Sequence, residues 1–214
     1  DTDGTEHRAT YQPTVTRLVP TGQGANSEGI QGAEQSGNLI FTPGDNRVPI
    51  NEAVAPTFDN GQTTKVVPNV GTYMVDNAGR VTFQPVPSYT GRPSAESVKR
   101  VDMNGTEVTA TYTPTVTKVT PTSKDDTSTG VQGIPQTGTP VFTAGDPAVP
   151  IDLDSPMTFE DGSSTKSVPG VGEYSINPDG SITFTPDKQY VGTPAPVTVK
   201  RVDKNGTPVT ANYT

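Results

Sequence analysis

The chain has 214 residues, 22 Gly, 22 Pro, no Cys, no Trp, 29% hydrophobic residues and a formal charge of −8. That length holds two ordinary domains, and the acidity excludes a nucleic-acid partner, which asks for a Lys/Arg stripe that is not there. No apolar run reaches the roughly 18 residues of a membrane span. Missing Cys fits a cytosolic chain that lacks it by chance or a secreted one that avoids it, and composition does not choose between them. No signal peptide or sorting motif is visible, so the segment reads as an interior piece of something longer.

The first stretch, DTDGTEHRATY, matches DMNGTEVTATY at residues 102–112 and DKNGTPVTANY at residues 203–213. Shifting the chain by 101 positions aligns it with itself without a gap. Pro13-Thr14-Val15-Thr16 returns as Pro114-Thr115-Val116-Thr117, Gly44-Asp45 as Gly145-Asp146, and Tyr89 and Gly91 as Tyr190 and Gly192. The expected organisation is a tail of a preceding repeat at 1–12, one repeat at 13–113 and another at 114–214.

Within the second copy, a first strand is expected over 115–120, ended by Pro121, followed by a polar loop over 122–140. Short strands are expected over 141–143, 149–151, 157–159 and 166–168. Tyr174 and Ile176, then Ile182 and Phe184, alternate with polar residues, which is the period of a half-buried strand. Asn177-Pro178-Asp179-Gly180 and Asp203-Lys204-Asn205-Gly206 read as hairpin turns, and both recur in the first copy as Asp76-Asn77-Ala78-Gly79 and Asp102-Met103-Asn104-Gly105. Seven or eight short strands per copy, with turn signals every 8–12 residues, suit a β-sandwich. No window carries a helical period, and the Thr, Val, Pro and Gly content opposes helix. The expected fold is therefore all-β: two tandem Ig-like β-sandwich domains arranged end to end.

Two local features bear on that fold. In Val-Lys-Arg-Val the valines 199 and 202 are three apart, so either a bulge sits at Lys200-Arg201 or both faces are covered there; the bulge is the preferred reading. At the junction, Thr111, Tyr112, Thr113 and Pro114 run from one copy into the next with no Gly/Ser tract. The last strand of one domain should pass straight into the first strand of the next, making Thr111, Tyr112, Thr113 and Pro114 a short, stiff interdomain joint.

No residue pattern supports catalysis. The single His7 stands where the full copies carry Val108 and Val209, so a repeated function cannot rest on it. No HExxH, GxSxG, Walker loop or CxxC occurs. The Asp102 and Asp203 segments resemble the opening of a calcium loop but lack the further ligands, and a hairpin turn explains them better. No metal or cofactor is expected. Their Asn-Gly-Thr triplets satisfy the glycosylation pattern, although the turn already requires those residues. Gly29 to Gly37 (GIQGAEQSG) and its twin GVQGIPQTG could be a recognition loop, but with no aromatic or Arg anchor loop geometry or packing against a neighbouring domain is favoured. Tyr73, Phe83, Tyr89 and their twins read as core aromatics rather than a sugar platform. Lys99-Arg100 and Lys200-Arg201 read as a solvated strand face. Shared Lys65/Lys166, Lys99/Lys200, Asn104/Asn205 and Asp45/Asp146 supply the ingredients of an isopeptide staple without making one compelling.

The pattern GxYxxxxDGxxxFxPxxxYxGxPxxxxVKRVDxNGTxVTAxYTPTV, with QGxxQxGxxxF upstream at 31–41 and 132–142, resembles the CshA-type fibril repeats of Gram-positive bacterial surface adhesins. The resemblance covers both copies and the leading tail, although His7-Arg8 replaces Val-Thr there. It implies repeat domains in the stalk of a cell-wall-anchored fibril, outside the bacterial cell, that project an adhesive tip for host or interbacterial attachment. The implied partners are neighbouring repeats of the same chain, with host protein or glycan met through another region. The alternative is a multivalent module in which every repeat weakly binds host matrix protein or glycan. An enzyme has no residue to support it.

Overall fold

The computed structural model describes residues 2–214, and among these there is no helix. The first repeat is built from β1 (Thr21–Gln23), β2 (Ala25–Ile30), β3 (Gln35–Asn38), β4 (Ile40–Thr42), β5 (Thr57–Phe58), β6 (Thr64–Val67), β7 (Gly71–Val75), β8 (Arg80–Pro85), β9 (Glu96–Val101) and β10 (Glu107–Thr117). The second contains β11 (Thr122–Lys124), β12 (Gln136–Gly138), β13 (Val141–Thr143), β14 (Thr158–Phe159), β15 (Thr165–Val168), β16 (Gly172–Ile176), β17 (Ile182–Pro186), β18 (Val197–Val202) and β19 (Pro208–Tyr213). Residues 4–20, including the sequence twin of a final hairpin, contain no strand.

Each repeat is a sandwich. In the first, a sheet ordered β2-β10-β9-β5 faces a sheet ordered β3-β8-β7-β6, and β1 pairs with β4 at the side. Phe58, Val98, Ala110, Tyr112 and Val116 from one sheet meet Tyr73, Val75, Val81 and Phe83 from the other. The Tyr73 ring stacks on Phe83 at 4.5 Å and meets Tyr112 edge-on at 6.3 Å. The second repeat reproduces this with Tyr174 on Phe184 at 4.6 Å and against Tyr213 at 6.3 Å. The alternating aromatics are thus the core, as their period requires, and Tyr89 and Tyr190 pack half-buried at its margin.

The four hairpin turns form as their residues dictate, each closed by a Gly N–H donating to the Asx carbonyl three residues back at 2.9–3.0 Å. Asp102 Oδ1 also accepts from the N–H groups of Asn104 (2.9 Å) and Thr106 (2.8 Å), and Asp203 repeats this with Asn205 and Thr207. The side chain that resembled a calcium ligand is a turn cap.

Three expectations need correction. The bulge at Lys200-Arg201 is not formed: β18 pairs with β19 without interruption from Val197↔Tyr213 to Val202↔Pro208. Val199 is buried, and Val202 lies half-buried on the outer face beside exposed Lys200. Adjacent strand residues point to opposite faces, so Lys99 is exposed while Arg100 is buried, its guanidinium over the Phe41 ring at 5.8 Å and donating to the Asn77 carbonyl. Lys99-Arg100 is therefore not one solvated face. Nor is the stretch over 122–140 only a loop, because β11 and β12 lie within it. These strands, Thr-Ser-Lys and Gln-Thr-Gly, are held by backbone pairing and carry no apolar–polar contrast, so alternation could not announce them.

Candidate functional site

The site is the joint between the repeats. β10 runs unbroken for 11 residues through Pro114. Its first part pairs antiparallel with β9, ending at Tyr112↔Glu96; its second pairs parallel with β2, from Tyr112↔Ala25 to Thr117↔Ile30. The residues expected to open the second copy, 115–117, therefore complete a sheet of the first. Pro114 fits because of parity. Val116, two residues on, exchanges backbone bonds with Gly91 at 2.8–2.9 Å on the β9 side. Pro114 turns its nitrogen to that same side, where β9 has already departed, so no donor is demanded.

Of the four expected joint residues, Thr111 is exposed and Tyr112, Thr113 and Pro114 are buried. Tyr112 bonds to Ser27 Oγ at 2.5 Å, Ser27 donates to Gln35 Oε1 at 2.7 Å, and Gln35 Nε2 donates to the Thr115 carbonyl at 3.0 Å. Ser27 Oγ spends its proton on Gln35, so Tyr112 is the donor in the first bond. Burial pushes the Tyr112 phenol up from its ordinary pKa, with the Ser27 bond opposing. It stays a neutral donor.

Beyond Thr117 the chain is clamped from the first repeat. Gln31 N–H donates to the Thr117 carbonyl at 2.8 Å, Gln31 Nε2 to the Pro87 carbonyl at 2.8 Å, and Gln31 Oε1 accepts from Val119 N–H at 3.2 Å. Val119 is buried. From the second repeat, the Asn205 turn leans back so that Asn205 Nδ2 donates to the Gln31 carbonyl at 2.9 Å. Gly32 allows that approach: its φ is +82°, and a Cβ there would come within 2.3 Å of Asn205 Oδ1. The sequence alone does not assign Gln31, Gly32, Pro87, Val119 and Asn205 to the joint. The repeated QGxxQxG motif was the available signal, and packing against a neighbour is what its first Gln and Gly do here.

In the first copy, three of the groups considered for an isopeptide staple have other partners. Lys65 pairs with Asp59 at 2.8 Å and Glu96 at 2.6 Å, Lys99 with Glu107 at 2.8 Å, and Asp45 with Arg47 at 2.7 Å. Among the described residues there is no cluster of three or more His, Cys, Asp or Glu side chains placed to hold a metal ion.

Residues 17–116 and 118–214 each match the family described as the surface adhesin CshA repetitive domain. The chain belongs to the CshA repeat family. The break between the two CshA matches falls at Thr117, where β10 ends. Among solved structures, the NMR structure of repeat domain 13 of the fibrillar adhesin CshA from Streptococcus gordonii is 70% identical, over 32% of this chain and 88% of that one, with a TM-score of 0.20. A titin I9-I11 tandem matches at 12% identity, over 91% of this chain and 65% of that chain, with a TM-score of 0.34. Mouse cadherin-23 EC22-24 matches at 11% identity, over 92% and 65%, with a TM-score of 0.35. The chain spans less than two thirds of the length of these last two, and neither carries the argument further. A search of the curated proteins finds no match.

Proposed function

We propose that this chain is a length of stalk in a cell-wall-anchored fibrillar adhesin, made of two load-bearing repeats that hold an adhesive tip away from the bacterial surface. The units are the sequence copies 13–113 and 114–214 behind a tail at 1–12, with Thr111, Tyr112, Thr113 and Pro114 as the joint. The observation that carries this reading is the passage of β10 from one copy toward the next without a flexible tether. Membership of a surface-adhesin repeat family supports a place outside the cell, and a non-enzymatic role fits a repeat whose shared residues make turns, core and joint. Its partners are neighbouring repeats.

Small-angle scattering tests the reading. A maximum dimension close to two sandwich lengths in line is expected; a compact side-by-side pair overturns it. Immobilising the chain over host matrix proteins and glycans tests the stalk-only role, and saturable micromolar binding would replace it with the multivalent-module reading.

A further inference from the structure

The same four residues meet two fates in this molecule. Pro114-Thr115-Val116-Thr117 is strand, and Val116 is 2% exposed. Pro13-Thr14-Val15-Thr16 is not strand, and Val15 is 93% exposed. Sequence is equal, so the difference lies in what each segment is offered. Residues 114–117 lie in a groove of the preceding repeat, between β2 and Gly91, with Val116 opposite both Gly29 and Gly91.

The second repeat presents the same groove at its far pole. There Tyr213 bridges Asp126 in parallel, and Ser128 N–H donates to the Thr214 carbonyl at 2.9 Å, as the start of the β10 and β2 pairing does in the first repeat. Beyond that point lies an open cleft of about 350 Å³, lined by Ser128, Gly130, Val131, Gln136, Tyr190 and Gly192. Five of these repeat the groove residues of the first copy, Ser27, Gly29, Gln35, Tyr89 and Gly91, and Val131 stands in place of Ile30. Gln31 is 5% exposed and clamped, whereas its twin Gln132 is exposed. Gly32 meets Asn205, whereas at Gly133 a Cβ would meet nothing within 4 Å. Val131 and Val191, both lining the cleft, are 73% and 77% exposed here, apolar side chains of the kind that mark an interaction surface.

We propose that this pole is an acceptor for another copy of the same repeat joined in line at Thr214. Its Pro-Thr-Val-Thr strand lies parallel to residues 127–131, and its Asn-Gly turn seats on Gln132 and Gly133. Backbone pairing supplies the affinity, as in other strand additions, and the valine joins the acceptor's core, as Val116 does in the first repeat. Each repeat is then completed by the one after it. This deepens the stalk reading and rests on it for the supply of the second copy.

The test extends the full chain after Thr214 by Pro-Thr-Val-Thr-Lys-Val, the sequence of 114–119, and compares an extension with Asp in place of the first Val. Amide exchange is read at Gln132 and Gly192, whose twins Gln31 and Gly91 donate into β10 at 2.8 Å. Exchange at both amides should slow at least ten-fold with the native extension and stay fast with the Asp form, while Gln31 and Gly91 remain protected throughout. Unchanged exchange, or equal protection by the Asp form, overturns the acceptor. Scattering of the unextended chain judges the stalk separately, so the two readings can fail independently.

Discussion

Tyr112 donates within its own sheet to Ser27, whose hydroxyl passes the bond on to Gln35 of the facing sheet. Replacing Tyr112 by Phe keeps the ring against Tyr73 and removes the donor to Ser27, so thermal unfolding of the first repeat should register a loss of about 1 kcal/mol. The buried phenols also set an alkaline limit. Burial pushes the Tyr174 phenol from 10.0 up to about 12, and Tyr73 is raised for the same reason. A pKa raised by folding contributes stability that is complete below the unfolded value and is lost as pH rises through the folded one. Circular dichroism should therefore hold steady to about pH 10 and fall toward pH 12, with Tyr174→Phe delaying the loss in the second repeat. An onset unmoved by that substitution would refute the assignment. Lys65 offers a contrast between copies, because it reaches across the sandwich to Glu96, whose side chain is only 10% exposed, where the second copy has Val197. Glu96→Val should cost less than Lys65→Ala, which strands a nearly buried carboxylate at roughly 1–3 kcal/mol. Equal losses in denaturant unfolding would contradict this.

Among the elements, the clamp on Val119 is the most exposed to test. Gln31→Ala removes both the bond to the Pro87 carbonyl and the acceptor for Val119 N–H. Hydrogen exchange at Val119 should quicken by about ten-fold, as loss of a hydrogen bond worth roughly 1 kcal/mol implies, while Gln132→Ala leaves it unchanged. What the sequence discloses and what it hides divide along a physical line. β7, β8, β16 and β17 could be read from alternation because one face is buried and one is wet. β2, β11 and β12 could not, because mostly polar and Gly residues held by neighbouring backbone carry little such contrast. The turn at Asp203 was legible from its residues, yet its seat on Gln31 was not, since that contact joins residues 174 positions apart. Two adjacent cations suggest a surface, but neighbours on a strand face opposite ways, and Arg100 is the one turned inward.

For the molecule as a whole, stretching gives the simplest outcome. A copy of 101 residues extends to about 340 Å at ~3.4 Å per residue, so atomic-force pulling should release two lengths close to 300 Å each. A single event for the whole chain would deny that the copies open separately. The parallel alignment of β10 beside β2 adds a mechanical consequence. Tension leaving through the end of β10 and entering through the start of β2 drags two same-direction neighbours past one another, so their six register pairs are loaded in shear and must yield together rather than peel one at a time. In the second repeat the same neighbours share a single bridge, Asp126 with Tyr213. A fibre built this way would be weakest at whichever bead has no successor lodged in it, and would give way there first.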